Sequence, residues 1–182
     1  MAVPEFYSGK ILYPAIGVLL ALSALFGLAI LPRLGRAAGG RLVGEPAPEI
    51  TVPVVANGDE GSRLSTRDLV GKAVVLDFWA TWCGPCQVQA PILDRLARRY
   101  DKRGLVVVGI NVDEPADVAR QHALKKGLSY PIAIDPTQGA ARSYGVDKLP
   151  SLVVIDRQGK VLTVLTGIVD EGALDEILGA AL

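Results

Sequence analysis

The chain has 182 residues, of which 50% are apolar, and its 19 basic side chains balance its 19 acidic ones. This length suits one globular domain plus an appendage, and the apolar content argues against a disordered chain. Zero net charge provides no basic field for nucleic acid, so we expect no nucleic-acid partner. The two cysteines are too few for a framework of several disulfides.

The first long apolar segment, ILYPAIGVLLALSALFGLAIL, covers Ile11–Leu31 and contains no charged residue. As a helix it would be about 31 Å long, which matches a hydrocarbon core of roughly 30 Å. We therefore predict an N-terminal flank at 1–10 and one transmembrane anchor at 11–32. A cleaved signal peptide is the alternative, although the apolar segment is long for one and LGRAAGG is a poor cleavage site.

The charges around the anchor bear on its orientation. Lys10 precedes the anchor, whereas Arg33, Arg36 and Arg41 follow it. By the positive-inside rule, the excess of arginines after the anchor indicates a cytoplasmic C-terminal domain.

A linker and one domain follow the anchor. Residues 33–44 are rich in glycine and alanine and predict a tether, and residues 45–182 are predicted to form the domain. Its predicted strands lie in EITVPVV, AVVLDFWA, GLVVVGINV, YPIAID and a hairpin in LPSLVVIDRQGKVLTVLTG. Helical periodicity covers 83–103, 115–127, QGAARSYGV and DEGALDEILGAAL, and LSTRDLVGK is predicted as a short capped turn. The alternation predicts an α/β fold with a mixed central sheet flanked by helices.

The two cysteines, Cys83 and Cys86, lie in WCGPC, where a buried strand is followed by a helix. The N-terminal end of a helix presents unpaired N–H groups and a positive dipole, which favour thiolate over thiol. We therefore predict that Cys83 is the nucleophile and that Cys86, expected to be more buried, resolves a mixed disulfide. Gly84 and Pro85 form the active-site loop, which Pro85 stiffens.

Three other chemistries fit the thiols less well. Zinc needs four ligands, and the chain offers two thiols and one distant histidine, His122, which we expect on a helix surface. A peroxidase needs an anion-binding loop around its cysteine, and only Thr81 hints at one. A purely structural disulfide would close too small a loop to stabilise much. We expect no metal and no cofactor beyond a redox-active Cys83–Cys86 disulfide.

From about residue 43 to 182, the sequence resembles the thioredoxin superfamily. VVLDFWATWCGPC is similar to its active-site strand and helix start. The apolar anchor, GEPAPE, the central αβ insertion and LPSLVVIDRQGKV resemble its TlpA-like branch, which includes the ResA and CcmG types. The resemblance implies a bacterial thiol–disulfide oxidoreductase, tethered to the inner membrane by one helix, with its domain in the periplasm. It also implies client proteins with disulfides or thiols, such as apocytochrome c, and a membrane electron donor for re-reduction.

The resemblance also assigns roles to residues that bind the client. Pro150 is similar to the superfamily's cis-proline, which presents the backbone of Leu149 to a bound peptide. An X-Pro bond that leads into an apolar strand independently favours an unusual backbone there. Trp82 is expected to cover one side of the sulfurs and to contact clients.

A buried acid is the remaining candidate. TlpA-like proteins often carry Glu three positions after the second cysteine, but here Gln89 occupies that position and holds no charge. Asp77 lies six positions before Cys83, in an otherwise apolar strand, so desolvation should raise its pKa. We predict that Asp77 takes the proton from Cys86 during release of the mixed disulfide.

The leading hypothesis is thus a tethered reductase of protein disulfides outside the cytoplasm. A cytoplasm-facing tethered thioredoxin, a peroxiredoxin-like peroxidase and a non-catalytic docking module are the alternatives.

Overall fold

The computed structural model describes residues 42–182. The predicted anchor at 11–32 and most of the predicted linker lie outside the described residues. Within 42–182, no helix combines the length and the apolar composition that are needed to span a bilayer.

A single seven-stranded sheet organises the domain. Its strand order is β2-β1-β5-β4-β3-β6-β7. The strands are β1 (Thr51–Ala56), β2 (Arg63–Ser65), β3 (Ala73–Trp79), β4 (Leu105–Val112), β5 (Ile132–Asp135), β6 (Ser151–Ile155) and β7 (Val161–Thr166). Strands β3, β4 and β5 run parallel, whereas β1, β2, β6 and β7 each pair antiparallel with their neighbours. The mixed α/β sheet predicted from the alternation is therefore confirmed.

Four α-helices cover the two faces of the sheet: α1 (Gly84–Tyr100), α2 (Ala116–Lys126), α3 (Gly139–Ser143) and α4 (Glu171–Ala181). Apolar residues of α1, α2 and α4 pack in one cluster, and those of α3 pack in a second cluster on the other face. Because both faces are covered, every residue of β3 is buried, as in other parallel strands at the centre of a sheet. Helix α1 continues through Pro91.

The alternation of side chains along β3 decides which face Asp77 occupies. Val75 and Trp79 belong to the cluster with α1, whereas Leu76 and Phe78 belong to the cluster with α3. Since side chains two residues apart share a face of a strand, Asp77 lies on the α1 side, together with both cysteines.

Strand β2 was not predicted, because the whole LSTRDLVGK segment was interpreted as a turn. In the structure, Leu64 pairs with Val52 across β1 and β2. The capped turn begins only afterwards, at Thr66–Leu69, where the Ser65 side chain accepts a hydrogen bond from Arg67 N.

The chain enters the domain beside the turn between β6 and β7. Gly44 N donates to Val161 O at 2.8 Å, and Ala47 N donates to Gly159 O at 2.8 Å. This turn lies next to the first residues of β3, since Val74 pairs with Ile155 of β6. The entry point is therefore at the end of the sheet where β3 begins.

Candidate active site

The two cysteines lie just beyond the other end of β3. Cys83 is the N-cap residue of α1, and Cys86 lies in the first turn of that helix. The two residues form a disulfide, with their Cα atoms 5.3 Å apart. Cys83 is 5% exposed and Cys86 is 3% exposed. The expected difference in burial is thus small in the disulfide state, and both cysteines are largely buried.

The start of α1 provides the electrostatics that the sequence predicted for Cys83. Its Sγ accepts a hydrogen bond from Cys86 N at 3.2 Å. Pro85, at the second helical position, has no N–H to leave unpaired there. A thiolate at Cys83 would receive the same N–H bond and the positive end of the helix dipole. This arrangement suits Cys83 as the attacking sulfur.

The loop before β6 lies at the same edge of the sheet. The Leu149–Pro150 peptide bond is cis. Leu149 packs against the cluster that contains both cysteines. Pro150 O accepts a hydrogen bond from Gly167 N at 2.9 Å, which ties this loop to the end of β7.

Trp82, which the sequence predicted to cover one side of the sulfurs, is largely exposed to solvent. Its side chain is 70% exposed, so most of the indole is in solvent. Two further apolar side chains near this edge, Val88 on α1 and Ile168 after β7, are also exposed. Together with Leu149, these residues offer an apolar surface beside the sulfurs.

Asp77 is a buried acid, as predicted from its apolar strand. It is 1% exposed, and its Oδ1 atom has no hydrogen-bond partner among residues 42–182. Burial raises the pKa of Asp77 to about 7, and the nearby Tyr130 hydroxyl offsets part of that rise. An acid with this pKa exchanges protons near neutral pH, which suits it to proton transfer.

Gln89 has a structural contact that the sequence did not reveal. Its side chain is fully buried, and its Oε1 atom accepts a hydrogen bond from Val169 N at 2.8 Å. Its Nε2 atom has no partner in the described part of the chain. Gln89 therefore connects the active-site helix to the segment that follows β7.

Glu114 is a site residue that sequence reasoning missed. Its carboxylate accepts hydrogen bonds from Thr81 N, from the Thr81 hydroxyl and from Asn111 Nδ2. Partial burial raises the pKa of Glu114, but these hydrogen bonds outweigh burial and hold its pKa below the ordinary value. Glu114 thus fixes the loop that leads to Cys83. The Thr81 hydroxyl, which had hinted at a peroxidase, is already bound to this carboxylate.

His122 is half-buried rather than free on a helix surface. Its ring lies against Trp79, with the ring centroids 5.4 Å apart. Burial is the main cause that lowers the pKa of His122. Both rings line a cavity of about 370 Å³ that also reaches Cys86 and Lys126. In the part of the chain described, no group of three or more His, Cys, Asp or Glu side chains is placed to hold a metal ion.

Comparison with known proteins agrees with this site. The model of the AhpC/TSA family matches residues 43–164. The thiol-disulfide oxidoreductase ResA of Geobacillus thermodenitrificans is 35% identical over 150 residues, which is 82% of this chain and 84% of that protein.

Solved structures give the same result. The crystal structure of a Chlorobium tepidum protein named as a thiol:disulfide interchange protein DsbE is 33% identical, with a TM-score of 0.71, and covers 76% of this chain and 96% of its own. The structure of a secreted thiol-disulfide isomerase from Corynebacterium glutamicum is 27% identical, with a TM-score of 0.64, and covers 75% of this chain and 83% of its own. The chain therefore belongs to the AhpC/TSA family, and it is a thioredoxin-like thiol–disulfide oxidoreductase.

Proposed function

We propose that this oxidoreductase is tethered to the bacterial inner membrane and reduces disulfides of client proteins in the periplasm. The observation that carries the proposal is the Cys83–Cys86 disulfide at the start of α1, beside the Leu149–Pro150 loop and an exposed apolar surface. Cysteine-containing proteins such as apocytochrome c are the client class that the resemblance favours.

The reaction begins with the dithiol form. The Cys83 thiolate attacks a client disulfide, which forms a mixed disulfide and releases one client sulfur as a thiolate. Asp77 then takes the proton of Cys86, and the Cys86 thiolate attacks Cys83 Sγ. The intramolecular disulfide forms, the second client sulfur leaves, and two electrons have moved to the client. A membrane electron donor would return the protein to its dithiol form.

Client binding is assigned to the surface around the sulfurs. Trp82 and Leu149 are the apolar contacts, and the backbone of Leu149, fixed before Pro150, would pair with an extended client segment. The disulfide is nearly buried, so a client has to bring its own disulfide close to this surface.

The location rests on two observations. The apolar segment at 11–31 is long enough to anchor the chain, and one of the similar structures is that of a secreted protein. The alternative, a cytoplasm-facing tethered thioredoxin, is favoured by Arg33, Arg36 and Arg41 after the anchor. The positive-inside rule applies less strictly when a folded domain follows the anchor, so we propose that the domain lies in the periplasm.

The direction of electron flow is tested by the reduction potential of the Cys83–Cys86 pair in the full-length chain, equilibrated with thiol buffers of known potential. We expect a value of about −250 mV or lower, in the range of reducing thioredoxins. A value near about −120 mV would identify an oxidant and overturn the proposed direction.

Membrane sidedness is tested by protease protection in intact cells and in inverted membrane vesicles. We expect protease to reach the domain from the periplasmic side only. Protection on that side, with cleavage in inverted vesicles, would establish the cytoplasm-facing alternative.

A further inference from the structure

Asp77 lies beside a glycine of the neighbouring strand, and other side chains fill the space that a side chain would occupy there. Within the sheet, Asp77 pairs with Gly109 of β4 on one side and with Leu152 of β6 on the other. A Cβ atom at position 109 would lie 2.8 Å from Ile132 Cδ1, 3.0 Å from Tyr130 Cε2 and 3.1 Å from Trp79 Nε1. These distances are shorter than ordinary van der Waals contacts, so the surrounding side chains occupy the volume that any larger residue would need. The missing side chain therefore lets the Tyr130 ring reach the interior next to Asp77.

The backbone around Tyr130 is fixed from three directions. Asn57 Nδ2 donates to Leu128 O at 2.6 Å and to Tyr130 O at 3.3 Å. On the α1 side, the Asp94 carboxylate accepts from both Ser129 N and the Ser129 hydroxyl at 2.6 Å. On the β4 side, Gly109 N donates to Pro131 O at 2.9 Å. These bonds hold Tyr130 in one position, which is what a residue that orients another side chain requires.

We propose that Tyr130, admitted to the interior by the missing side chain of Gly109, is the positioning residue that keeps the Asp77 carboxylate ready to accept the Cys86 proton. The inference rests on the proposed role of Asp77 in the reaction. Asp77 Oδ1 has no hydrogen-bond partner in residues 42–182, and no cationic side chain compensates its charge. The Tyr130 ring lies beside Gly109, which pairs with Asp77, and its hydroxyl is a donor that can stabilise the ionised form.

Other titratable groups around Asp77 are few. Helix α1 contributes Cys86 and, next to Tyr130, Asp94; helix α2 contributes His122, which lies against Trp79. The residues that α4 places in this cluster are apolar, and so is Leu152 of β6. The Tyr130 hydroxyl lowers the pKa of Asp77 against the larger effect of burial. Without that hydroxyl, a smaller fraction of Asp77 would be ionised at neutral pH and able to accept a proton.

The test compares Tyr130→Phe with Tyr144→Phe in the full-length chain. Tyr144 is the matched control, because it is also buried and its hydroxyl donates to Pro48 O at 2.8 Å, but it lies on the opposite face of the sheet. The Asp77 carboxyl carbon is titrated by NMR in the disulfide form and assigned by its absence in Asp77→Asn. Mixed-disulfide release is measured as a function of pH in parallel.

For Tyr130→Phe we expect the Asp77 titration to move upward by roughly half to one pH unit, and the pH profile of release to move with it. In an Asp77→Asn background, Tyr130→Phe should move no profile further. Tyr144→Phe should leave both titration and profile unchanged. A folded Tyr130→Phe protein with an unchanged or lowered Asp77 titration would overturn the inference.

A second measurement applies even if Tyr130→Phe does not fold. Biosynthetic replacement of tyrosine by 3-fluorotyrosine keeps the ring and makes the hydroxyl a stronger donor, so the Asp77 titration should move downward. An unmoved titration would also overturn the inference. The proposed role of Asp77 in the reaction fails separately: Asp77→Asn would then leave the rate of mixed-disulfide release unchanged, even where Tyr130→Phe moves the Asp77 titration. The proposed direction of electron flow is tested independently of both, by the reduction potential of the Cys83–Cys86 pair.

Discussion

The Gln89 side-chain oxygen accepts a hydrogen bond from Val169 N at 2.8 Å, and through it the active-site helix is joined to the segment after β7. Two residues earlier in that segment, Gly167 N donates to Pro150 O. One turn after Cys86, a buried amide thus connects the helix that holds the sulfurs with the loop that holds the cis-proline. The amide at this position accepts the Val169 bond without placing a charge in the interior.

Replacement of Gln89 by Ala should weaken both the fold and the active site. The substitution leaves the partly buried Val169 N unpaired and opens a cavity at the buried Gln89 position, so we expect the free energy of unfolding to fall by about 1–3 kcal/mol. Urea unfolding of the disulfide form measures the loss, and client reduction should slow as well. Gln121→Ala, at an exposed position of α2, is the control and should change neither. Equal effects of the two substitutions would contradict the role of the Val169 bond.

Asp77 should make stability depend on pH. Its pKa is raised to about 7 in the folded protein, compared with an ordinary value of 3.8, because burial disfavours the charge. A raised carboxyl pKa contributes stability that is fully present below pH 4 and is lost as the pH rises to 7. The shift corresponds to an upper value of about 4 kcal/mol. Asp77→Asn should therefore stabilise the disulfide form at pH 8 and have little effect at pH 4, as measured by urea unfolding.

The control for this experiment is Asp135→Asn. Asp135 is also buried, but its carboxylate accepts hydrogen bonds from Gly139 N and Ala141 N at the start of α3. Loss of these charge-assisted bonds should destabilise the protein at pH 8, opposite in sign to Asp77→Asn. If Asp77→Asn also destabilises the protein at pH 8, a partner in the folded protein stabilises the charged Asp77 carboxylate.

Asp77→Asn should also change the kinetics of one step. Asn cannot accept the Cys86 proton, so release of the mixed disulfide should slow more than its formation. Stopped-flow measurement of both steps with a disulfide peptide separates them. Equal slowing of formation and release would show that Asp77 does not handle this proton.

Glu114→Ala should loosen the loop before Cys83. The substitution removes the acceptor for Thr81 N, the Thr81 hydroxyl and Asn111 Nδ2, and the expected loss of stability is about 1–3 kcal/mol. The rate at which Cys83 reacts with a disulfide peptide should change as well, because its position and its electrostatic surroundings change. Glu176→Ala, at an exposed position of α4, is the control and should alter neither quantity. An unaltered Cys83 rate in Glu114→Ala would restrict Glu114 to a role in folding.

Cys86→Ser should trap clients. Without the resolving thiol, the mixed disulfide between Cys83 and a client persists and is visible on a non-reducing gel. Cys83→Ser should form no such adduct. Adducts with Cys83→Ser that match those with Cys86→Ser would reverse the assigned roles of the two sulfurs.

Local sequence pattern was sufficient for some of these features and insufficient for others. Cys83 and Cys86 were identified because a buried strand, a C-x-x-C spacing and a helix follow one another in the chain. The pairing of Thr81 with Glu114 could not be predicted in this way. It depends on β3 and β4 being adjacent and parallel, so that residues 33 positions apart meet at one edge of the sheet.

The missed features share a dependence on tertiary contacts. Strand β2 has three residues and no apolar alternation, so it can be recognised as a strand only from its pairing with β1. In the sequence, Gly109 is indistinguishable from any other residue of an apolar strand. Its role in making room for the Tyr130 ring beside Asp77 is visible only in the structure. His122 was placed on a helix surface because its packing partner, Trp79, lies on β3 and is distant in the sequence.

The position at which the chain enters the domain determines how far this entry lies from the disulfide. The hydrogen bonds of Gly44 and Ala47 to the β6–β7 turn lie at one end of the sheet, and the disulfide lies beyond the other end. Strand β3 separates the two by about 17 Å from Val74 to Trp79, at roughly 3.3 Å per residue. Residues 42–47 are therefore bound at the end of the sheet opposite the disulfide. A client that binds at the disulfide leaves the hydrogen bonds of Gly44 and Ala47 to the β6–β7 turn in place.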